Sequence, residues 1–130
     1  MEYLTAQDIL VLHARIVAKT GGSQGIRDVH LLGSLVERPK ASFDGKEQSS
    51  TIFEKAAVYL ESLATYHVFV DGNKRTALAA SARFLFLNGY TLNAPNKDAE
   101  IFVLKVATEK LEIKEITEWF KRHAKAKKIL

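Results

Sequence analysis

Within nine positions the chain places an imidazole, a carboxylate, a glycine, an amide and two cations: His67, Asp71, Gly72, Asn73, Lys74 and Arg75. Each type has a use in phosphate chemistry. An unperturbed imidazole titrates near about 6.5, so His67 can accept a proton at neutral pH from a hydroxyl attacking in line with a phosphorus. The residues from Asn73 onward read as the start of a helix. The first N–H groups there have no intrahelical partner, and the helix dipole adds partial positive charge. A glycine at that start lets an anion approach the backbone. Asn73 adds an amide donor, Lys74 and Arg75 add two cations, and an arginine can grip phosphate through two parallel hydrogen bonds. Asp71 would repel a bare phosphate, but it suits a magnesium ion shared with phosphate oxygens. Together the residues suggest transfer of a phosphate-containing group from a nucleotide–Mg²⁺ complex to a hydroxyl. Phe69 and Val70 are apolar in a polar loop, and both are expected to plug into the core.

Two purely structural readings use the same residues. Asp71-Gly72 after His67-Val68-Phe69-Val70 can be a hairpin turn, although no second strand follows. The cluster can also be a solvated helix end capped by Asp71. Spacing alone leaves these readings open.

The elements that must position the loop are mostly helices. From Ile52 to Tyr66, Phe53, Ala56, Ala57, Leu60, Leu63 and Ala64 recur at helical spacing. Asn73 to Leu87 reads as a helix apolar nearly all round, hence central and buried, and Asn88-Gly89 stops it. Upstream, Thr5-Ala6-Gln7-Asp8 has the form of a capping box before a helix carrying Ile9, Leu10, Leu12, Ile16 and Val17. The run Thr20 to Gly25 ends that helix as a flexible loop. Asp28 can cap a short helix bearing Leu31, Leu32, Leu35 and Val36, which Pro39 terminates. Asp44-Gly45 allows a small β-flap between Ala41 and Ser50. Thr91 to Asn96, with Pro95, is a turn or short extended link. Lys97 to Lys110 then forms a helix with Val103, Val106 and Ala107 inward. The last helix is expected to run from about Ile113 into the tail, with Ile113, Ile116, Phe120 and His123 on one side and Trp119 beside them. The fold class is all-α: a compact helical bundle in one domain, residues 1–130, with room for one hairpin flap.

Composition bounds the chemistry. The 130 residues contain no cysteine, which removes disulfides, thiolate catalysis and cysteine-ligated zinc. No ligand spacing among the four histidines supports a His-based metal site. His13, His30 and His123 are expected to be structural or surface histidines. Nothing resembles a signal peptide or a membrane span, so a cytoplasmic location is expected. The net charge of +4 comes from the tail, where Lys121, Arg122, Lys125, Lys127 and Lys128 lie without an acid among them. A solvated helix end is the expected form of that tail. A nucleic-acid reading would have to rest on the tail alone.

The stretch His67-x-Phe69-x-Asp71-Gly72-Asn73-Lys74-Arg75-Thr76 resembles the signature of the Fic/Doc family, in its death-on-curing toxin branch. Gly25-Ile26-Arg27-Asp28, Leu32, Ser34 and Arg38-Pro39 are similar to the family's upstream segment. The resemblance implies a Fic-like helical bundle that moves part of a nucleoside triphosphate, such as ATP, onto a protein side chain. His67 would be the catalytic base and Asp71 the Mg²⁺ ligand. Gly72, Asn73, Lys74 and Arg75 would hold the phosphates, and Phe69 would pack the loop.

Two departures select a branch. Adenylylating relatives carry a second glycine where Lys74 stands and a second arginine where Leu78 stands, and leucine cannot hold a phosphate. The resemblance therefore implies phosphoryl transfer, with AMP transfer from the same site as the alternative. It also implies a target in the translation machinery, such as elongation factor Tu. The family's inhibitory helix is not found: Ser50 to Glu54 continues with Lys55, and Thr108 to Glu112 with Ile113. Inhibition by a separate antitoxin protein is then expected. The third reading is a non-enzymatic module whose tail binds nucleic acid.

Overall fold

A computed structural model describes residues 1–43, 46–47 and 51–127. Helix α1 (Ala6–Thr20) starts at the expected capping box: Asp8 N–H donates to Thr5 Oγ1 at 3.1 Å, and Thr5 N–H to Asp8 Oδ2 at 2.9 Å. It buries Ile9, His13 and Val17, one residue per turn on one stripe. Helix α2 (Val29–Leu35) is capped by Asp28, whose Oδ1 accepts from Leu31 N–H at 2.9 Å. A 3₁₀ turn (Arg38–Lys40) carries Pro39, whose carbonyl accepts from the buried Lys55 Nζ at 2.7 Å. Strands β1 (Ser42–Phe43) and β2 (Lys46–Glu47) pair antiparallel on either side of positions 44–45. The flap expected at Asp44-Gly45 is therefore present as a two-strand ladder. Its turn residues, and Ser50 of the first inhibitory-helix candidate, lie outside the described residues.

Helix α3 (Ile52–Thr65), capped by Thr51, is the hub. It packs most extensively on α4 (Asn73–Leu87), then on α6 (Ile113–His123) and α5 (Asn96–Glu109). Helix α4 buries Ala77, Ala80 and Ser81 together with Phe84 and Leu85. Those small side chains let neighbouring helices approach while the larger pair fills the core. The helix is central, but it is not covered all round: Lys74, Arg75, Arg83 and Phe86 are exposed.

The C-terminal segment differs from expectation. Helix α6 stops at His123, and β4 (Ala124–Ala126) pairs antiparallel with β3 (Tyr90–Leu92). Asn93 N–H donates to His123 O at 2.6 Å and Lys127 N–H to Gly89 O at 2.8 Å, extending the pairing at both ends. The ladder gives the backbone groups of β3 partners that a helix continued past His123 would have left to water. The basic tail is thus a solvated helix end only at Lys121 and Arg122. Lys121 and Arg122 close α6, Lys125 and Lys127 lie on or just past β4, and Lys127 Nζ sits 3.9 Å from the Phe86 ring centroid. Lys128 lies outside the described residues. Among the described residues no helix is long and apolar enough to cross a membrane.

Candidate active site

The α3–α4 loop begins with backbone strain. His67 has φ 53°, a left-handed conformation that costs a non-glycine residue roughly 1 kcal/mol or more. The turn points the chain back toward the core at once, so Val68 and Phe69 are buried, Phe69 to 1% exposure. Val70 does not plug in as expected and is 59% exposed. The inserted pair is one residue earlier than the sequence suggested, because the turn at His67 shifts which side chains face inward.

A second segment fixes the loop from outside. Ile26 forms an antiparallel bridge with Phe69. Arg27 N–H and Asp28 N–H both donate to Val68 O, at 2.7 and 3.1 Å, and Val70 N–H donates to Gly25 O at 3.2 Å. The upstream Gly25-Ile26-Arg27-Asp28 is therefore a segment tied by its backbone to the signature loop. Asn73 holds the loop from inside: its Oδ1 accepts from Phe69 N–H at 3.0 Å and its Nδ2 donates to Phe69 O at 2.9 Å.

Gly72 caps α4 at φ 76°. A Cβ there would also lie 3.2 Å from Val17 Cγ2, so α1 packing and backbone conformation both call for glycine. Asp71 Oδ1 accepts from Gly72 N–H at 2.8 Å and Oδ2 from Ser23 N–H at 3.2 Å. These two bonds, with a smaller contribution from Arg75, hold its carboxyl below the usual carboxylate range. Gly22 has φ 110°, and a Cβ there would meet Asp71 Oδ2 at 2.6 Å. The Thr20–Gly25 run is thus a shaped cradle for Asp71. Arg75 Nη1 donates to Thr20 Oγ1 across the same junction.

His67, Lys74 and Arg75 are exposed. The His67 imidazole has no hydrogen-bond partner among the described residues and is free to meet a solvent-borne group. Lys74 and Arg75 also line a cavity of about 780 Å³ between α1, α4 and α5, whose walls include Ile16, Leu78, Ala82 and Val103. Leu78, at the position of the second arginine in adenylylating relatives, is part of that apolar wall.

A carboxylate offers about four lone-pair sites, and Asp71 uses two of them on backbone N–H groups. No cluster of three or more His, Asp or Glu exists among the described residues. A single available carboxylate fits a Mg²⁺ that arrives on nucleotide phosphates and completes its shell with water.

Sequence reasoning passed over His13, Thr20 and Ser23, all of which touch the loop or its first helical turn. One signal was legible: His13 is the polar member of the buried Ile9-His13-Val17 stripe.

A helical bundle whose central helix begins at a His-Asp-Gly-Asn-Lys-Arg loop defines the class. The Fic/DOC family model matches residues 3–85, and the chain belongs to that family. It is 45% identical over 93 residues to a protein named Toxin Doc from Mycolicibacterium smegmatis, covering 72% of this chain and 69% of the relative. It is 28% identical over 122 residues to a protein named Protein kinase doc from Escherichia phage P1, covering 94% and 95% of the two chains.

Proposed function

We propose that this protein is a toxin that transfers the γ-phosphoryl group of a nucleoside triphosphate to a hydroxyl of a target protein. The observation that carries this reading is the exposed His67 imidazole, without a hydrogen-bond partner among the described residues, on the loop that opens α4 and carries Asp71, with Lys74 and Arg75 in the helix's first turn. The target hydroxyl oxygen attacks the γ-phosphorus while its proton passes to the His67 imidazole. The bond from that phosphorus to the β–γ bridging oxygen breaks, and the nucleoside diphosphate leaves. Lys74 and Arg75 neutralise phosphate charge, and the free N–H groups at the start of α4 add donors. Asp71 would hold Mg²⁺, which supplies charge neutralisation at the phosphates when bound. Asn73 contributes by fixing the loop.

The name of the phage relative favours phosphoryl over AMP transfer, and so does the apolar Leu78. A translation factor such as elongation factor Tu is the proposed target, and the cytoplasm the proposed location. An antitoxin is the proposed partner. The α1–α4–α5 cavity suits the apolar face of an amphipathic helix, with Lys74 and Arg75 available to its acidic residues.

The test is expression of wild type and His67→Ala in bacteria lacking an antitoxin, followed by incubation of each with extract and ATP labelled at the α- or γ-phosphate. Arrest and γ-label incorporation by wild type alone are expected. Retained α-label would replace the reading with AMP transfer. Equal toxicity of His67→Ala would remove catalysis by His67 altogether.

A further inference from the structure

His13 lies on α1, more than fifty residues before the signature loop, and is 3% exposed. Its Nε2 is 2.7 Å from Asp71 O. A carbonyl oxygen only accepts, so Nε2 carries a proton and donates it. The ring stacks on Phe69 at 3.7 Å between centroids and 6° between planes. A Cβ added to Gly72 would lie 3.7 Å from His13 Cδ2 and Nε2, so the ring also backs the α4 cap. One buried side chain therefore touches Asp71 by a hydrogen bond and Phe69 by a ring stack, and fills the space beside Gly72. Leucine would satisfy the stripe, since Ile9 and Val17 flank this position on the same face. What leucine cannot supply is a donor aimed at the carbonyl of Asp71.

We propose that His13 is a positioning residue for the transfer reaction: its Nε2–H fixes the Asp71 peptide, and its ring fixes Phe69, so that the Asp71 carboxylate and the first turn of α4 meet the nucleotide in one geometry. The proposal rests on the reading of the loop as a nucleotide site. An orientation role differs from a packing role because the hydrogen bond and the stack can be separated. His13→Phe keeps the stack and loses the donor. His13→Gln keeps an N–H donor at similar reach and loses the ring.

The experiment uses the full chain and Mg·ATP as the probe. Thermal midpoint, Mg·ATP affinity by titration calorimetry, and the ATP dependence of γ-label transfer into extract protein are measured for wild type, His13→Phe, His13→Gln and His67→Ala. Expected are a Kd and KM for ATP about tenfold weaker in His13→Phe, with His13→Gln recovering most of that loss, as for other residues that orient a binding group. A merely structural histidine would lower the midpoint of both variants and leave the affinity of the folded protein unchanged. Wild-type affinity in His13→Phe, or equal loss in His13→Gln, overturns the proposal. Failure of wild type to bind Mg·ATP overturns the nucleotide reading and this role together. That result is distinct from failure of His13 alone, in which wild type binds and His13→Phe binds equally well.

Discussion

The side chain of Asn73 satisfies both backbone groups of Phe69, accepting from its N–H at 3.0 Å and donating to its carbonyl at 2.9 Å. One amide thereby closes the loop that carries His67 and Asp71 against the first turn of α4. Asn73→Ala would leave two polar groups of a buried residue without partners, at a cost of about 1–3 kcal/mol each where water does not replace them. Asn73→Asp keeps an acceptor for the N–H but sets a carboxylate against the carbonyl. Denaturant melts are expected to rank wild type above both variants, and transfer activity is expected to fall in both.

His67 combines exposure with φ 53°. Replacement by alanine removes the proton acceptor, and a loss of about 10²–10⁴ in transfer rate is expected. The same positive φ makes glycine easier there than alanine. His67→Gly is expected to be as inactive as His67→Ala yet more stable by about 1 kcal/mol. Equal melting of the two variants would argue against strain at this residue.

The carboxyl of Asp71 is held below its ordinary range chiefly by Ser23 N–H and then by Gly72 N–H. Because its folded value is the lower one, its contribution to stability is complete above the ordinary carboxylate value. It fades as pH falls through the lowered one. A ¹³C titration of the Asp71 carboxyl should show a midpoint below that of a model aspartate. Ser23→Pro removes the first donor and should move the midpoint upward.

Gly22 and Gly72 are expected to reject alanine for different reasons. At Gly72 the added methyl meets Val17 and a left-handed φ, so stability falls by about 1–3 kcal/mol. At Gly22 the methyl also meets the Asp71 carboxylate, so Mg·ATP affinity should fall along with the melting temperature. Calorimetry on the two variants separates the effects.

Leu104 lines the α1–α4–α5 cavity and is 50% exposed. Leu104→Glu places a like charge before an acidic partner helix at little cost to the fold. It should arrest growth as wild type does, while co-expressed antitoxin protects less well. Full protection would place the antitoxin elsewhere.

Much of this protein is local and was open to reading from its sequence. The capping box at Thr5, the Asp28 cap, the stop at Asn88-Gly89 and the helical stripe of α3 each depend on residues within a few positions of one another. The order of His67, Asp71, Gly72, Asn73, Lys74 and Arg75 placed the candidate site for the same reason. What the tertiary structure decided depends on partners far along the chain. The turn from α6 into β4 requires β3, about thirty residues earlier, to offer its edge. The inward placing of Val68 instead of Val70 goes with a positive φ at His67 and with backbone bonds from Gly25 to Asp28, a segment that periodicity could not pair with the loop. Thr20 to Gly25 reads as a flexible loop until Asp71 is seen seated on Ser23 N–H. His13 reads as a spare histidine until Asp71 O is found 2.7 Å away. Sequence spacing records neighbours along a helix or strand, whereas these contacts join segments that only the packed core brings together.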